Sequence, residues 1–336
     1  MGADESAWPG RPGGPAEVWA MGELLAEIMR PRPGMGLGET GPFLGPFPSG
    51  APGIFIDTVA RLGHTAAISS GVGDDDFGAC ILERLRRDGV NTDCVDVFPG
   101  RSTGVAFVTY SRDGSRRFLF HWDGTPAVMG QVPEPSRIEG ARLLHLMGCS
   151  LMANDAFRDR LFQAVELFSS RGALISFDPN IRFELLLGRS PAELVAPILR
   201  RCSILLPGET ELTLLGGRDD PRESARVLLD TTPVQVIVLK RGRRGCTVIT
   251  RDGEVDVPAF RVKERDPTGA GDCFDAGFVC GWLEGRGPTR SAELAAAAGA
   301  LNATAFGPME GRIDPASVAA LMRRGRRSAG GEHDGH

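Results

Sequence analysis

The sequence predicts an α/β fold in three layers, a mainly parallel sheet with helices on both faces, together with a small β-structured lid. Short apolar runs alternate with amphipathic, helix-like stretches along most of the chain, the pattern of a parallel sheet whose crossovers are helical. Two segments break that rhythm. Residues 32–48 are dense in Gly, Pro and Phe, and residues 101–124 show strand-like alternation around a turn. These two segments supply the lid.

Taken in order, residues 1–17 are rich in Gly and Pro without periodicity and read as a disordered tail. The runs 18–21, 66–69, 143–147, 173–177, 204–206 and 234–239 are short and apolar, as strands buried on both faces are. Between them, 77–87, 155–169, 223–229 and 294–306 have the spacing of amphipathic helices. In the lid, 104–110 alternates, Asp113-Gly114 signals a turn, and 117–120 resumes the strand, which makes a hairpin. The expected organisation is one domain over 18–322, with lid segments at about 29–49 and 101–124, and a flexible tail over 323–336.

Composition narrows the function. A chain of 336 residues with 42% hydrophobic and 24% charged residues can bury a sizeable core and form one large domain or two ordinary ones. A formal charge of −5 and the lack of a basic stripe argue against nucleic acid as a partner. No apolar run reaches membrane-spanning length and no secretory pattern opens the chain, so no membrane partner and a cytoplasmic location are expected. Seven scattered cysteines, none spaced C-x-x-C, argue against a disulfide framework or a zinc knuckle. Lys240 and Lys263 are the only lysines, and neither follows a glycine, so a Gly-Lys-[Ser/Thr] phosphate loop is excluded.

The chemistry concentrates in Asp266-Pro-Thr-Gly-Ala-Gly-Asp272 and the apolar run after it. Gly269, Ala270 and Gly271 put small, flexible backbone at the start of a helix, where N–H groups converge and the dipole favours negative charge. Fixed donors there form an anion hole for a phosphoryl group in transfer. Asp272, at the rim, can accept the proton of an attacking hydroxyl. An N-cap is the plainer role for the same aspartate.

This segment resembles the C-terminal signature of the ribokinase-like (PfkB) carbohydrate kinase family, with Pro267 in place of a usual Thr. Other segments agree in order: Gly71-Val-Gly-Asp-Asp-Asp-Phe-Gly78, Asp178-Pro-Asn180-Ile-Arg182, Leu206-Pro-Gly-Glu209-Thr-Glu211, Val238-Leu-Lys240-Arg-Gly242-Arg-Arg-Gly245, and 295–307 with Asn302. The resemblance implies a ribokinase-like fold and ATP-dependent phosphorylation of a sugar hydroxyl. Asp272 would be the catalytic base, Gly269 to Gly271 the anion hole, and Arg182 a phosphate-binding partner. Asn180, Glu211, Lys240, Gly242, Gly245, Thr268 and Asn302 would serve the nucleotide. Glu211 and Asp178 would order Mg²⁺ through water, and Asp266 lies where some members bind a monovalent cation such as K⁺.

The N-terminal wording departs from the family pattern. Ser49-Gly50-Ala51-Pro-Gly53-Ile54 puts Ile54 where members usually carry a substrate-binding Asn, Glu27 stands where many have Asp, and Gly208 replaces an Asn of the magnesium motif. Glu27, Gly50, Ala51, Asp57 and the lid's Arg117 are the expected sugar contacts. The wording is similar to the branch that includes tagatose kinase, fructokinase and 2-keto-3-deoxygluconate kinase, so a ketohexose is the first expectation and a keto sugar acid the second. Family lids often pair between subunits, which makes a homodimer through the lid an expectation. A dinucleotide-binding dehydrogenase is disfavoured because Gly71-Val-Gly73 runs into three aspartates, which would repel a pyrophosphate. A protein kinase is disfavoured because no His-Arg-Asp loop accompanies Asp76-Phe77-Gly78. A non-catalytic sugar or nucleotide sensor is the remaining alternative, against which an intact Asp272 argues.

Overall fold

The computed structural model describes residues 15–330 apart from 114 and 187. The chain opens with β1 (Val18–Met21), β2 (Leu25–Met29), β3 (Leu44–Ser49) and helix α1 (Ala51–Arg61). It continues through β4 (Ala66–Gly73), α2 (Asp76–Arg87), β5 (Val90–Phe98) and the hairpin β6 (Val105–Tyr110) and β7 (Arg116–His121). Next come β8 (Leu143–Met147), the single turn α3 (Gly148–Leu151), α4 (Asp155–Ser170), β9 (Leu174–Asp178), α5 (Pro191–Leu199) and β10 (Ile204–Leu205). Helices α6 (Glu209–Gly216) and α7 (Pro221–Thr231) lead to β11 (Val236–Lys240), β12 (Cys246–Thr250) and β13 (Gly253–Val257). Helices α8 (Ala270–Leu283), α9 (Pro288–Asn302) and α10 (Pro315–Gly330) close the fold.

A nine-stranded sheet runs β13-β12-β11-β10-β9-β8-β1-β4-β5 and is parallel except at the β12–β13 edge. Side chains alternate across it into two cores. Val18, Ala20, Val236 and Val238 pack with Phe55, Phe278 and Leu294 on one face. Trp19, Met21, Ile237 and Leu239 pack with Phe157, Phe168 and Leu228 on the other. With both faces covered, every strand position favours an apolar residue, which is why these strands read as continuous apolar runs.

The chain moves from β1 to β4 and β5 on one side and to β8, β9 and β10 on the other, so the strand order reverses between β1 and β8. In an open α/β sheet, the crevice beyond the carboxyl ends at such a reversal is where ligands bind. Helices α8 and α9 stand beside that crevice in close contact. A Cβ on Gly277 would lie 2.8 Å from the Ala295 Cα, so only glycine permits this approach.

The lid is a four-stranded sheet in the order β3-β2-β6-β7. It begins at Leu25, earlier than the expected 29, because β2 leaves β1 through only three residues and its apolar run continues the preceding strand's wording. The hairpin lies where alternation put it, with Gly114 outside the described residues. The helix expected over 294–306 starts at Pro288 and ends at Asn302, since its first turn is polar and hid the start. Helix α10 extends to Gly330 through the segment expected as a flexible tail, leaving 331–336 outside the described residues. At the other end 1–14 lie outside them, but Glu17, expected in the disordered tail, hydrogen-bonds through its N–H to Thr65 O at 3.1 Å and pairs with His64.

Candidate active site

Gly269 caps α8 in the left-handed region, with φ of 74°, and a Cβ there would meet Pro308 O at 2.2 Å. Glycine is therefore required at this turn. The N–H groups of Gly271 and Asp272 have no partner among the described residues and stand at the positive end of α8. The Ala270 N–H, expected as a third donor, is turned to Pro267 O at 3.2 Å. Gly271 has open space on its Cβ side.

The half-buried Asp272 carboxyl opens onto a cleft that also takes in Glu23, Glu27, Arg116, Arg182 and Thr268. Burial, then the Asp178 charge, push its pKa up to about 7, while Lys240, Arg182 and Arg116 pull against that rise. A carboxyl so tuned is suited to accept a proton near neutral pH. The Arg182 guanidinium lies 5.2 Å from the centre of the Phe118 ring and has no carboxylate partner among the described residues. Arg116 approaches the same ring from the lid at 5.9 Å.

Behind Asp272, one turn along α8, lies the fully buried Asp275. The Lys240 ammonium at the end of β11 stands 2.7 Å from Asp178 Oδ2 and 3.2 Å from both oxygens of Asp275. Burial opposes the lysine's charge, but Asp178, Asp275 and Glu211 hold its pKa well above the ordinary value. Burial alone would raise Asp178, yet the ammonium together with Asp275 and His145 outweighs it and keeps that carboxyl low. Glu211 accepts the Ile181 N–H and the Gly208 N–H, each at 2.7 Å, so it caps α6 from within. Each oxygen keeps a further lone pair, which fits contact with a hydrated Mg²⁺ through water rather than direct ligation. Asn180, in the left-handed region at φ of 36°, donates its N–H to Asp178 Oδ1 at 3.1 Å. Gly242 and Gly245 bracket the exposed turn after Lys240.

The opposite wall comes from β1 and the lid. Glu23, just beyond β1, accepts Ser150 Oγ at 2.5 Å and Cys149 Sγ at 3.2 Å, and burial raises its pKa. Glu27 on β2 is 3% exposed; Ser49 Oγ donates to its Oε2 at 2.5 Å, and its Oε1 has no partner. Burial is the main cause that raises Glu27 to about 7. Gly50, Ala51 and Ile54 form the floor, and Phe118, Phe120 and Trp122 the apolar roof. A second, larger cleft adjoins Asn302, lined by Phe260, Val262, Lys263, Leu301, Thr304 and Leu321.

Four expected site residues are placed otherwise. Arg117 faces outward, because side chains on β7 alternate and the inward set is Arg116, Phe118 and Phe120; a shift of one residue exchanges the faces. Asp57 is fully buried behind α1, 3.4 Å from Arg61 and 3.6 Å from Arg84, so it cannot touch a sugar in this cleft. Asn302 spends its Nδ2 on Thr268 O (2.8 Å) and Pro308 O (2.9 Å) and accepts the Gly311 N–H, so it buckles loops together rather than lining a cavity. Asp266 accepts protein donors on both oxygens, the Thr268 N–H and the Tyr110 hydroxyl on Oδ1 and the Gly307 N–H on Oδ2. Glu23, Asp275 and Tyr110 were not anticipated. The place of Glu23 two residues past a buried strand was the one signal that could have found it.

The residues 48–314 match the model of the pfkB family carbohydrate kinases. A fructokinase-1 of Zea mays is 33% identical over 260 residues, which is 76% of this chain and 80% of that protein. A putative ribokinase II of E. coli, solved with ATP and Mg²⁺, is 35% identical and superposes with a TM-score of 0.86 over 92% of this chain and 99% of its own. A fructokinase of Vibrio cholerae, solved with fructose, ADP and calcium, is 26% identical with a TM-score of 0.76 over 92% and 99% of the two chains. The chain belongs to the pfkB family of carbohydrate kinases, shares the ribokinase-like fold, and is a carbohydrate kinase. No helix among the described residues is long and apolar enough to cross a membrane.

Proposed function

We propose that this pfkB family member transfers the γ-phosphoryl group of ATP to a hydroxyl of a ketohexose, with Asp272 as the general base. The observation that carries this reading is the meeting, in one cleft, of a carboxyl tuned to about 7 and two buried carboxyls suited to sugar hydroxyls, Glu23 and Glu27. The unpartnered Glu27 Oε1 favours a ligand that brings a hydroxyl donor, since a buried acceptor left bare is costly. The curated fructokinase relatives favour a fructose-type sugar.

In this reading the sugar lies under Phe118, Phe120 and Trp122, which exclude the water that would compete as acceptor. As the sugar oxygen forms its bond to the γ-phosphorus, its proton passes to Asp272 and the bond to the β-phosphate oxygen breaks, releasing ADP. The Gly271 and Asp272 amides and Arg182 stabilise the charge on the transferring group. Mg²⁺ would neutralise the nucleotide phosphates, held through water near Asp178 and Glu211. The base end of the nucleotide fits the second cleft, which opens at the same carboxyl ends of the strands.

A second reading is favoured by Arg116 and Arg182, two guanidinium groups in the cleft without carboxylate partners: a keto-deoxy sugar acid, whose carboxylate they would bind. ADP release over fructose, tagatose and 2-keto-3-deoxygluconate decides between them, and release with none of them would refute both. We place this chemistry in the cytoplasm. A homodimer through the outer lid face is supported by exposed Leu44 and Leu119 and is checked by sedimentation.

A further inference from the structure

The monovalent cation expected at Asp266 does not fit this chain. Asp266 is 1% exposed, and its Oδ1 accepts the Thr268 N–H at 3.0 Å and the Tyr110 hydroxyl. Its Oδ2 accepts the Gly307 N–H at 2.8 Å. Thr268 Oγ1 is also hydrogen-bonded to the Tyr110 hydroxyl. None of these buried oxygens is left without a partner, in contrast to Glu27 Oε1. A cation bound at Oδ1 would have to displace the phenol.

Tyr110 ends β6, so the phenol belongs to the lid while its partners belong to the turn that starts α8. Its one proton goes to the Asp266 carboxylate, and the Thr268 hydroxyl can donate to it in turn. Thr268 precedes Gly269, whose left-handed conformation aims the free amides of Gly271 and Asp272. From the body of the protein the same turn is held by Asn302, through Thr268 O. From the lid, Tyr110 is the residue that holds it. Burial, and next the Asp266 charge, keep the phenol protonated well above its ordinary range, so it remains a donor.

We propose that Tyr110 is a positioning residue for phosphoryl transfer: its hydroxyl stands in for an alkali cation at Asp266, so that lid closure, rather than a bound ion, orders the turn carrying the anion hole. The kinetic consequence rests on the kinase reading of that turn. The structural latch does not.

The test compares the full-length protein with Tyr110→Phe, which removes one oxygen and keeps the ring. Turnover is measured with potassium, and then with a bulky organic ammonium, as the sole monovalent cation. Wild type should be indifferent to the exchange. Tyr110→Phe in organic ammonium should lose about tenfold or more in kcat/KM, as expected for one hydrogen bond to a charged group, and potassium should restore part of it saturably. Independently of activity, hydrogen exchange in the variant should quicken together at 105–110 and 266–271, with the central sheet unchanged. Tyr110 is the only tyrosine, so its near-ultraviolet absorbance in wild type should not respond to potassium. Potassium-stimulated wild type, or a Tyr110→Phe variant with wild-type exchange and kinetics, would overturn the proposal. If the variant fails to fold, the wild-type potassium response of turnover and of the tyrosine absorbance decides alone. Absence of turnover with every sugar and cation would count against the kinase reading, while the exchange result would still decide the latch.

Discussion

The Lys240 ammonium meets both carboxylate oxygens of Asp275 at 3.2 Å, one turn of α8 beyond Asp272. Through Asp178, at 2.7 Å, the same ammonium ties β11 to the end of β9. It thus fixes the inner face of the helix that presents the Asp272 carboxyl. Its positive charge also holds down the pKa of Asp272. In Lys240→Met both effects go. The acid limb of the kcat/KM profile should move to higher pH, and denaturant unfolding should show a loss of roughly 3–5 kcal/mol, typical of stripping one partner from a buried ion pair. A limb that stays put would mean that Lys240 does not tune Asp272.

Asp272 itself sets the next expectation. With a folded pKa of about 7 it is largely protonated below neutrality, so kcat/KM should fall as pH drops through about 7. Asp272→Asn should lose about 10²–10⁴-fold in turnover and abolish that limb. Stability should move the other way. A carboxyl whose pKa rises from 3.8 to about 7 on folding costs stability as pH climbs through that window, and the whole penalty is present above it. Asp272→Asn should therefore melt higher than wild type in mildly alkaline buffer and show no such gain below the ordinary carboxylate range. Thermal melts at the two pH extremes check the sign.

The segment 266–272 was legible because its features are local: a helix start, a glycine-specific turn and two carboxylates, Asp266 and Asp272, lie within seven residues. Strands β1 and β8 were legible because burial on both faces leaves an apolar run, interrupted in β8 only by His145. What failed depended on partners distant in sequence. Asp57 looked like a sugar contact until α2 supplied Arg84 and α1 itself supplied Arg61. Asn302 looked like a nucleotide contact until the loop at 308–311 used up its amide. Asp275 sits in an apolar helix with no local reason for a charge, and its reason, Lys240, is 35 residues away. Arg117 failed by a single step of register, because exposed arginines on both sides of a turn do not say which face of the hairpin meets the body.

That register makes a paired experiment. Arg116 faces the cleft beside Phe118, and its neighbour Arg117 faces solvent. Arg116→Ala should raise the KM for sugar with less effect on the KM for ATP, while Arg117→Ala should match wild type in both. If a sugar acid is the substrate, the Arg116→Ala loss should be larger for it than for a neutral ketohexose, since a charge-assisted contact disappears. Equal effects from the two alanine variants would show that the lid strand has the other register in solution.

The last expectation concerns the far side of the sheet. His64 Nδ1 lies 2.7 Å from Glu17 Oε1 and its Nε2 3.1 Å from Glu284 Oε1, so the ring joins the residue before β1 to the end of α8. Burial opposes a charge on the imidazole, but Cys280, Glu284 and Glu17 outweigh it and lift the pKa from 6.5 to about 11. A base whose pKa rises on folding contributes stability that is complete below the unfolded value and is lost as pH rises through the folded one. His64→Gln should therefore lower the melting temperature most below pH 6.5, and the gap to wild type should close steadily toward pH 11. The cluster lies at the amino ends of the strands, opposite the cleft, so the sugar KM should not change. A gap independent of pH would show that the imidazole contributes by packing alone and that its charge adds nothing to the joint between β1 and α8.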